Sequence, residues 1–265
     1  MSQQHNPILV LRLRGPLQSW GISSQFNRRT TENVPSKSGI IGLLAAAEGR
    51  QRTASIDDLL ELKIGVRIDA PGTQLRDYHT VANFDGSNLL ISDVNAQGHQ
   101  KRGDSKKQTL VTKRYYLQDA EFIVAIQGNE QLMEKLAYAV EHPRFPLALG
   151  RRSCIPTGRL LECNENGQKL WRGMSLREAL SAVNWRKKPG VSEPYRLPVI
   201  LDESSDSIKD GMLDSITDVP VSFDPHKRGF TSRTVRHIWV TPPGLSPEAE
   251  KNRMMSDPFS LLGAE

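Results

Sequence analysis

Cysteine is nearly absent: Cys154 and Cys163 are the two in 265 residues. That is too few for a disulfide framework, and with no CxxC pair and no histidine close by it also removes the usual zinc spacings. A reducing compartment is the expectation. Long apolar runs are missing as well; with 37% hydrophobic residues and a mean hydropathy of −0.46, no segment reads as membrane-spanning and no membrane partner is implied. The first residues lack a basic segment followed by an apolar run and a small-residue cleavage site, so the expected location is cytoplasmic. No charge of one sign dominates. Thirty-five Lys and Arg against 30 Asp and Glu leave +5, which permits a polyanion partner without demanding one. The P-loop pattern GxxxxGK[ST] is absent, and His5, His99, His142, His226 and His237 show no HxxxH or similar spacing, so neither a metal nor a cofactor is expected.

Local patterns do suggest elements. Ile8 to Arg14 begins as a buried strand, finishes in alternation and stops at Gly15-Pro16. Ile40 to Ala47 reads as a short buried helix with Ser36 as N-cap and Gly49 as stop. Leu62 to Ile68 alternates as a second strand. Asn129 can cap a helix whose Leu132, Met133, Leu136, Ala137 and Val140 form one stripe ended by Pro143. Thr109 to Tyr116 and Ala120 to Gln127 look like the two arms of a hairpin, and Gly158 to Cys163 like a further strand. The order β-α-β-β-α-β predicts an α+β, ferredoxin-like (RRM-like) domain over residues 1–165. An aperiodic excursion at about 71–114 projects from its sheet. Residues 166–243, with strand candidates Leu197 to Leu201, Val219 to Phe223 and His237 to Thr241, read as a smaller β-rich half, and 244–265 as a loose tail.

Three stretches carry chemistry, each with a plain structural alternative. Ser36, Lys37 and Ser38 at a helix start combine hydroxyls, a cation and free N–H groups, which suits a phosphate or an ordinary cap. Arg76, Tyr78, His79 and Thr80 pack a cation, a π-face, an imidazole and a hydroxyl together. They could stack a base and hold its phosphate, or Tyr78, His79 and Lys113 could do acid–base work on a 2′-hydroxyl without a metal, or the stretch could be a surface loop. Lys101, Arg102, Lys106, Lys107, Lys113 and Arg114 form a basic run opposed only by Asp104, and Arg151-Arg152 offers two guanidiniums on a turn; solvated faces and surface ion pairs are the plain readings. Trp20, Phe26, Tyr78 and Phe84 lie where no core periodicity holds them, as interface aromatics do, or as aromatics packed under loops do.

Five segments in order resemble one family: Leu11-Arg-Leu-Arg-Gly-Pro-Leu-Gln-Ser-Trp-Gly21; Pro35-Ser-Lys-Ser-Gly39 with Gly42-Leu-Leu44; Arg76-Asp-Tyr-His-Thr-Val81; Tyr115-Tyr-Leu-Gln-Asp-Ala120; and Leu149-Gly-Arg-Arg-Ser-Cys154. The sequence is similar to the CasD family of Cascade subunits of type I-E CRISPR systems, within the RAMP superfamily. Beyond residue 160 only Phe230-Thr-Ser-Arg233 and His237-Ile-Trp-Val240 extend the likeness. The resemblance implies a RAMP domain with a β-hairpin thumb, supplied by the excursion. It implies a non-catalytic subunit that caps the five-prime handle of the CRISPR RNA (crRNA), contacts the backbone and large subunits, and meets target DNA only through the complex, in antiviral defence. Gln18, Trp20, Ser36, Lys37, Ser38, Arg76, Tyr78, His79, Thr80, Lys113, Arg114, Arg151 and Arg152 are the RNA-binding residues so implied. The alternative is metal-independent endoribonuclease activity, as in type I-C relatives, with Tyr78, His79 and Lys113 as its residues. A generic RNA-recognition module is disfavoured because the RNP1 pattern is absent.

Overall fold

The computed structural model describes residues 5–22, 27–82, 90–94, 97, 99–102, 109–187, 194, 196–202 and 211–245. Strand β1 (Ile8–Arg14) is buried as far as Leu13, as its apolar run requires. Two short strands follow, β2 (Leu17–Gln18) and β3 (Arg28–Arg29). In helix α1 (Lys37–Glu48) the expected cap is present: the Ser36 hydroxyl accepts the Gly39 N–H at 3.2 Å, and the chain leaves the helix at Gly49. A single turn, α2 (Asp57–Leu60), leads into β4 (Lys63–Ala70). Then come β5 (Thr73–Ala82), β6 (Leu90–Val94), β7 (Gln100–Arg102), β8 (Thr109–Gln118) and β9 (Glu121–Gln127). Helix α3 (Glu130–Glu141) starts where Asn129 accepts the Leu132 N–H at 2.9 Å. The remaining elements are β10 (Leu161–Glu162), β11 (Leu170–Trp171), α4 (Leu176–Ala182), β12 (Leu197–Asp202), β13 (Met212–Ser222) and β14 (Gly229–Val240).

The main sheet runs β10-β1-β9-β4-β12-β14-β13 with antiparallel neighbours, and β11 also pairs with β1. Helices α1 and α3 cover one face, where Leu9, Leu11, Val66, Phe122 and Val124 meet Ile41, Leu44, Met133 and Leu136. Helix α4 covers the other, where Ala179 and Leu180 share a core with Val10, Ile123, Val199 and Ile238. The fold is mixed α+β and dominated by antiparallel sheets. Strand β12 pairs directly with β4 (Ile200 opposite Val66) and brings β14 and β13 into the same sheet.

Two arginines are buried on the α4 side. Arg12 donates to Glu121 at 2.6 Å, to Glu162 and to the Asn184 carbonyl. Arg67, fully buried, grips Asp69 with two nitrogens at 2.6 and 2.8 Å and gives its third to the carbonyls of Leu180 and Val183. Those carbonyls are the unfilled acceptors at the C-terminal end of α4, so Arg67 supplies both their hydrogen bonds and a favourable charge. Burial pushes the Asp69 carboxyl above its ordinary range despite Arg67.

Three sequence expectations change. Strands β8 and β9 are not two arms of one hairpin: both edges of β9 are taken, by β1 and β4, while β8 belongs to a second sheet with β2, β3 and β5. Asp119, at a left-handed φ of 57°, turns the chain from one sheet into the other. Of residues 158–163 only Leu161–Glu162 pair as a strand. The excursion is also more regular than its composition suggested, since β5 and β8 pair residue for residue from Thr73–Gln118 to Ala82–Thr109. Phe26, Phe84, Lys106, Lys107 and the tail beyond Leu245 lie outside the described residues.

Candidate nucleic-acid interface

The β5–β8 ribbon sorts the chemistry-bearing residues onto two faces. Side chains alternate along a strand, and directly opposed residues share a face. Arg76 lies opposite Tyr115 and Tyr78 opposite Lys113, while Thr80 lies opposite Val111. Arg76, Tyr78, Thr80 and Lys113 are all exposed, Tyr78 by 59%. Strand β3 joins β8 in parallel and places exposed Arg28 opposite Lys113, with its guanidinium 5.7 Å above the Tyr115 ring. One face therefore presents Arg28, Arg76 and Lys113 around the rings of Tyr78 and Tyr115. Cations that can pair with phosphates beside π-faces on which bases can stack are what a single-stranded nucleic acid needs. Arg28 was not legible as a site residue, because Arg28-Arg29 sits in a polar stretch with no periodicity.

The other face carries Leu75, Asp77 and His79 opposite Tyr116, Arg114 and Thr112. Tyr116 is buried and Leu75 packs against the same core, so this face turns toward the main body. His79 is exposed, but on the face away from Tyr78 and Lys113. The three groups of the acid–base alternative do not converge on one point. Arg114 is half-buried on that inner face, opposite Asp77.

Gln18, Trp20, Ser36, Lys37 and Ser38, all expected as contact residues, are held within the body of the chain. Gln18 is fully buried; its amide nitrogen donates to the carbonyls of Leu13 and Ala120 at 3.1 and 2.9 Å, and its oxygen accepts the Trp20 indole N–H at 3.1 Å. Trp20 is a core residue, seated so close to Gly39 that a Cβ there would lie 2.6 Å from the ring. Ser36 and Ser38 are buried with their hydroxyls 3.2 Å apart. The N-terminus of α1 is already filled by the chain's own carboxylates: the Lys37 N–H donates to Asp218 at 2.7 Å and its ammonium to Asp202 at 2.9 Å. Arg233 closes this network by a two-nitrogen contact with Asp218 at 2.6 and 2.8 Å and a further one with Asp202. Burial alone would lower its pKa, but the two carboxylates hold it above its ordinary value.

The 149–154 turn divides its two arginines. Arg152 is exposed, whereas Arg151 turns inward and donates to the carbonyls of Tyr115, Arg29 and Thr30. Cys154 is buried, which pushes its thiol pKa up and suits packing rather than nucleophilic chemistry. Among the described residues no cluster of His, Cys, Asp and Glu could hold a metal ion, and no helix is long and apolar enough to cross a membrane.

Known proteins resemble this arrangement. The family described as CRISPR-associated protein (Cas_Cas5) matches residues 8–236. The CRISPR system Cascade subunit CasD of Escherichia coli (strain K12) is 37% identical over 160 residues, 55% of this chain and 66% of that protein, so the match stops just short of two thirds of the relative's length. A solved chain titled "CRISPR RNA-guided surveillance complex" superposes with a TM-score of 0.69 at 32% identity, over 94% of this chain and 98% of that one. A second, titled "Crystal structure of Cas protein", gives 0.62 at 31% identity over 91% and 100%.

Proposed function

Because the chain belongs to the CRISPR-associated protein (Cas_Cas5) family, we propose that it is a non-catalytic subunit of a type I-E Cascade surveillance complex that holds the five-prime handle of a crRNA. In this reading β1, α1, β4, β9, α3 and β10 form a ferredoxin-like RAMP core, whose strand order β10-β1-β9-β4 fits that unit. The β5–β8 ribbon is its thumb. The backbone and large subunits are its protein partners, and target DNA is met only through the assembly. The observation that carries the proposal is the exposed ribbon face, with Arg28, Arg76 and Lys113 set around Tyr78 and Tyr115.

Binding of a synthetic RNA bearing the handle tests the reading. Tyr78→Ala should weaken it by roughly 5- to 150-fold, since a base–aromatic stack is worth about 1–3 kcal/mol. Lys113→Gln should flatten the log–log salt dependence by about 0.7, the share of one neutralised phosphate on a single strand. Incubation with the precursor RNA should leave its length unchanged. Specific cleavage lost in His79→Ala would replace this reading with the endoribonuclease alternative, which the separation of His79 from Tyr78 and Lys113 disfavours.

A further inference from the structure

Arg151 makes more contacts than a surface arginine on a turn requires. Nη1 donates to the Tyr115 carbonyl at 3.1 Å, and Nη2 to the carbonyls of Arg29 and Thr30 at 2.8 and 3.1 Å. Its guanidinium carbon lies 4.9 Å from the centroid of the Tyr116 ring. One planar group thus ties β8, at Tyr115 and Tyr116, to the segment that runs through β3. Its own base is firm. Gly150, at φ 89°, sits where a Cβ would fall 1.8 Å from the Ser19 carbonyl oxygen, and the Ser19 N–H donates to Leu149 at 3.0 Å. The turn also closes on itself through Leu149 N–H to Cys154 and Cys154 N–H to Arg151.

The segment it holds needs holding. Among the described residues strand β3 pairs with β8 through two residues, Arg28 with Lys113 and Arg29 with Arg114, and the Lys113 N–H reaches the Asn27 carbonyl at 2.7 Å. Two paired residues at a sheet edge have little stability of their own. Beyond them the chain is fixed at Trp20, whose N–H donates to the Thr31 hydroxyl at 2.9 Å and whose carbonyl accepts the Glu32 N–H at 2.7 Å.

We infer that Arg151 is a positioning residue: it clamps residues 29–30 against β8 so that Arg28 stands over Tyr115 on the ribbon's open face. This rests on the RNA-holding reading proposed above. It assigns Arg151 a place in the scaffold rather than a phosphate, because three of its five N–H donors go to carbonyls that only a planar fork reaches together. Lysine keeps the charge and loses both the fork and the stack.

A double-mutant cycle on the full chain separates this role from direct contact. With the synthetic handle RNA as probe, Arg28→Ala should weaken binding about tenfold. Arg151→Gln should do about the same, and the double variant should be no weaker than Arg28→Ala alone. Additive losses would make Arg151 a contact in its own right and overturn the inference. A second measurement needs no RNA: hydrogen exchange at the Lys113 amide should quicken in Arg151→Gln while β9 amides stay as protected as before. Unchanged exchange at Lys113 also overturns the clamp. If the unmodified chain fails to bind the RNA, the functional reading falls and the exchange measurement still decides the clamp. Should Arg151→Gln fail to fold, Arg151→Lys carries both measurements, with partial loosening expected.

Discussion

At the scale of single residues, charge is used in two opposed ways. Arg28, Arg76 and Lys113 stand exposed, whereas Arg12, Arg67, Lys37 and Arg233 are drawn into the body and matched by carboxylates. Arg233 is the most consequential of the second group, because it joins Asp202 to Asp218 beneath the start of α1. Removing one partner of a buried ionic network leaves the others uncompensated, so Arg233→Ala should cost about 3–5 kcal/mol in urea unfolding. Adding Asp218→Asn should return part of that loss by deleting a stranded charge. A loss below about 1 kcal/mol for Arg233→Ala would mean that solvent already screens the pair. None of this was legible along the chain. Lys37 reads as a phosphate ligand in its local motif, and the carboxylates that occupy it lie 165 and 181 residues away.

Among the elements, those announced by a cap and a stripe were readable in advance. Helices α1 and α3 follow from Ser36 and Asn129 with their apolar faces, and β1 from its unbroken apolar run. Strand β5 was not, because its partner β8 lies beyond a long intervening segment and its exposed face carries Arg76, Tyr78 and Thr80 where apolar alternation would be sought. The residue types of the candidate site were therefore visible, but the separation of His79 from Tyr78 was not. Helix α4 was also unforeseen, although it opens on a full capping box. The Ser175 hydroxyl accepts the Glu178 N–H, and the Glu178 carboxylate accepts the Ser175 N–H at 2.7 Å. Ser175→Ala should cost about 1 kcal/mol, a drop in Tm of about 2–4 °C. The hydrogen bond from the Ser175 N–H, then that from its hydroxyl, holds the Glu178 carboxyl below its ordinary value of 4.5. A depressed carboxyl stabilises the fold above its unfolded pKa and stops doing so as pH falls through the folded one. The stability gap between the native chain and Glu178→Gln should accordingly be present at neutral pH and close below pH 4.5. A gap independent of pH would show that the carboxylate charge contributes nothing to the cap.

For the whole molecule, one sheet runs through both halves of the chain, and β4 stands at the seam with β9 on one side and β12 on the other. A fragment ending at residue 165 keeps β9 but leaves the other flank of β4 as an open strand edge rich in buried-type residues, Ile64, Val66 and Ile68. Such an edge invites pairing with other chains. The fragment 1–165 should therefore partition into aggregates on expression, while a chain ending at residue 245 stays in solution. Equal solubility of the two would mean that the seam is dispensable. The same feature sets a clock on synthesis. The 126 residues between Ala70 and Leu197 must leave the ribosome before β12 can arrive. At about 5–20 residues per second that is an interval of roughly 6–25 s. Throughout that interval the nascent chain carries an unsealed edge, so its yield should depend on translation speed between codons 71 and 196 more than on speed anywhere before them.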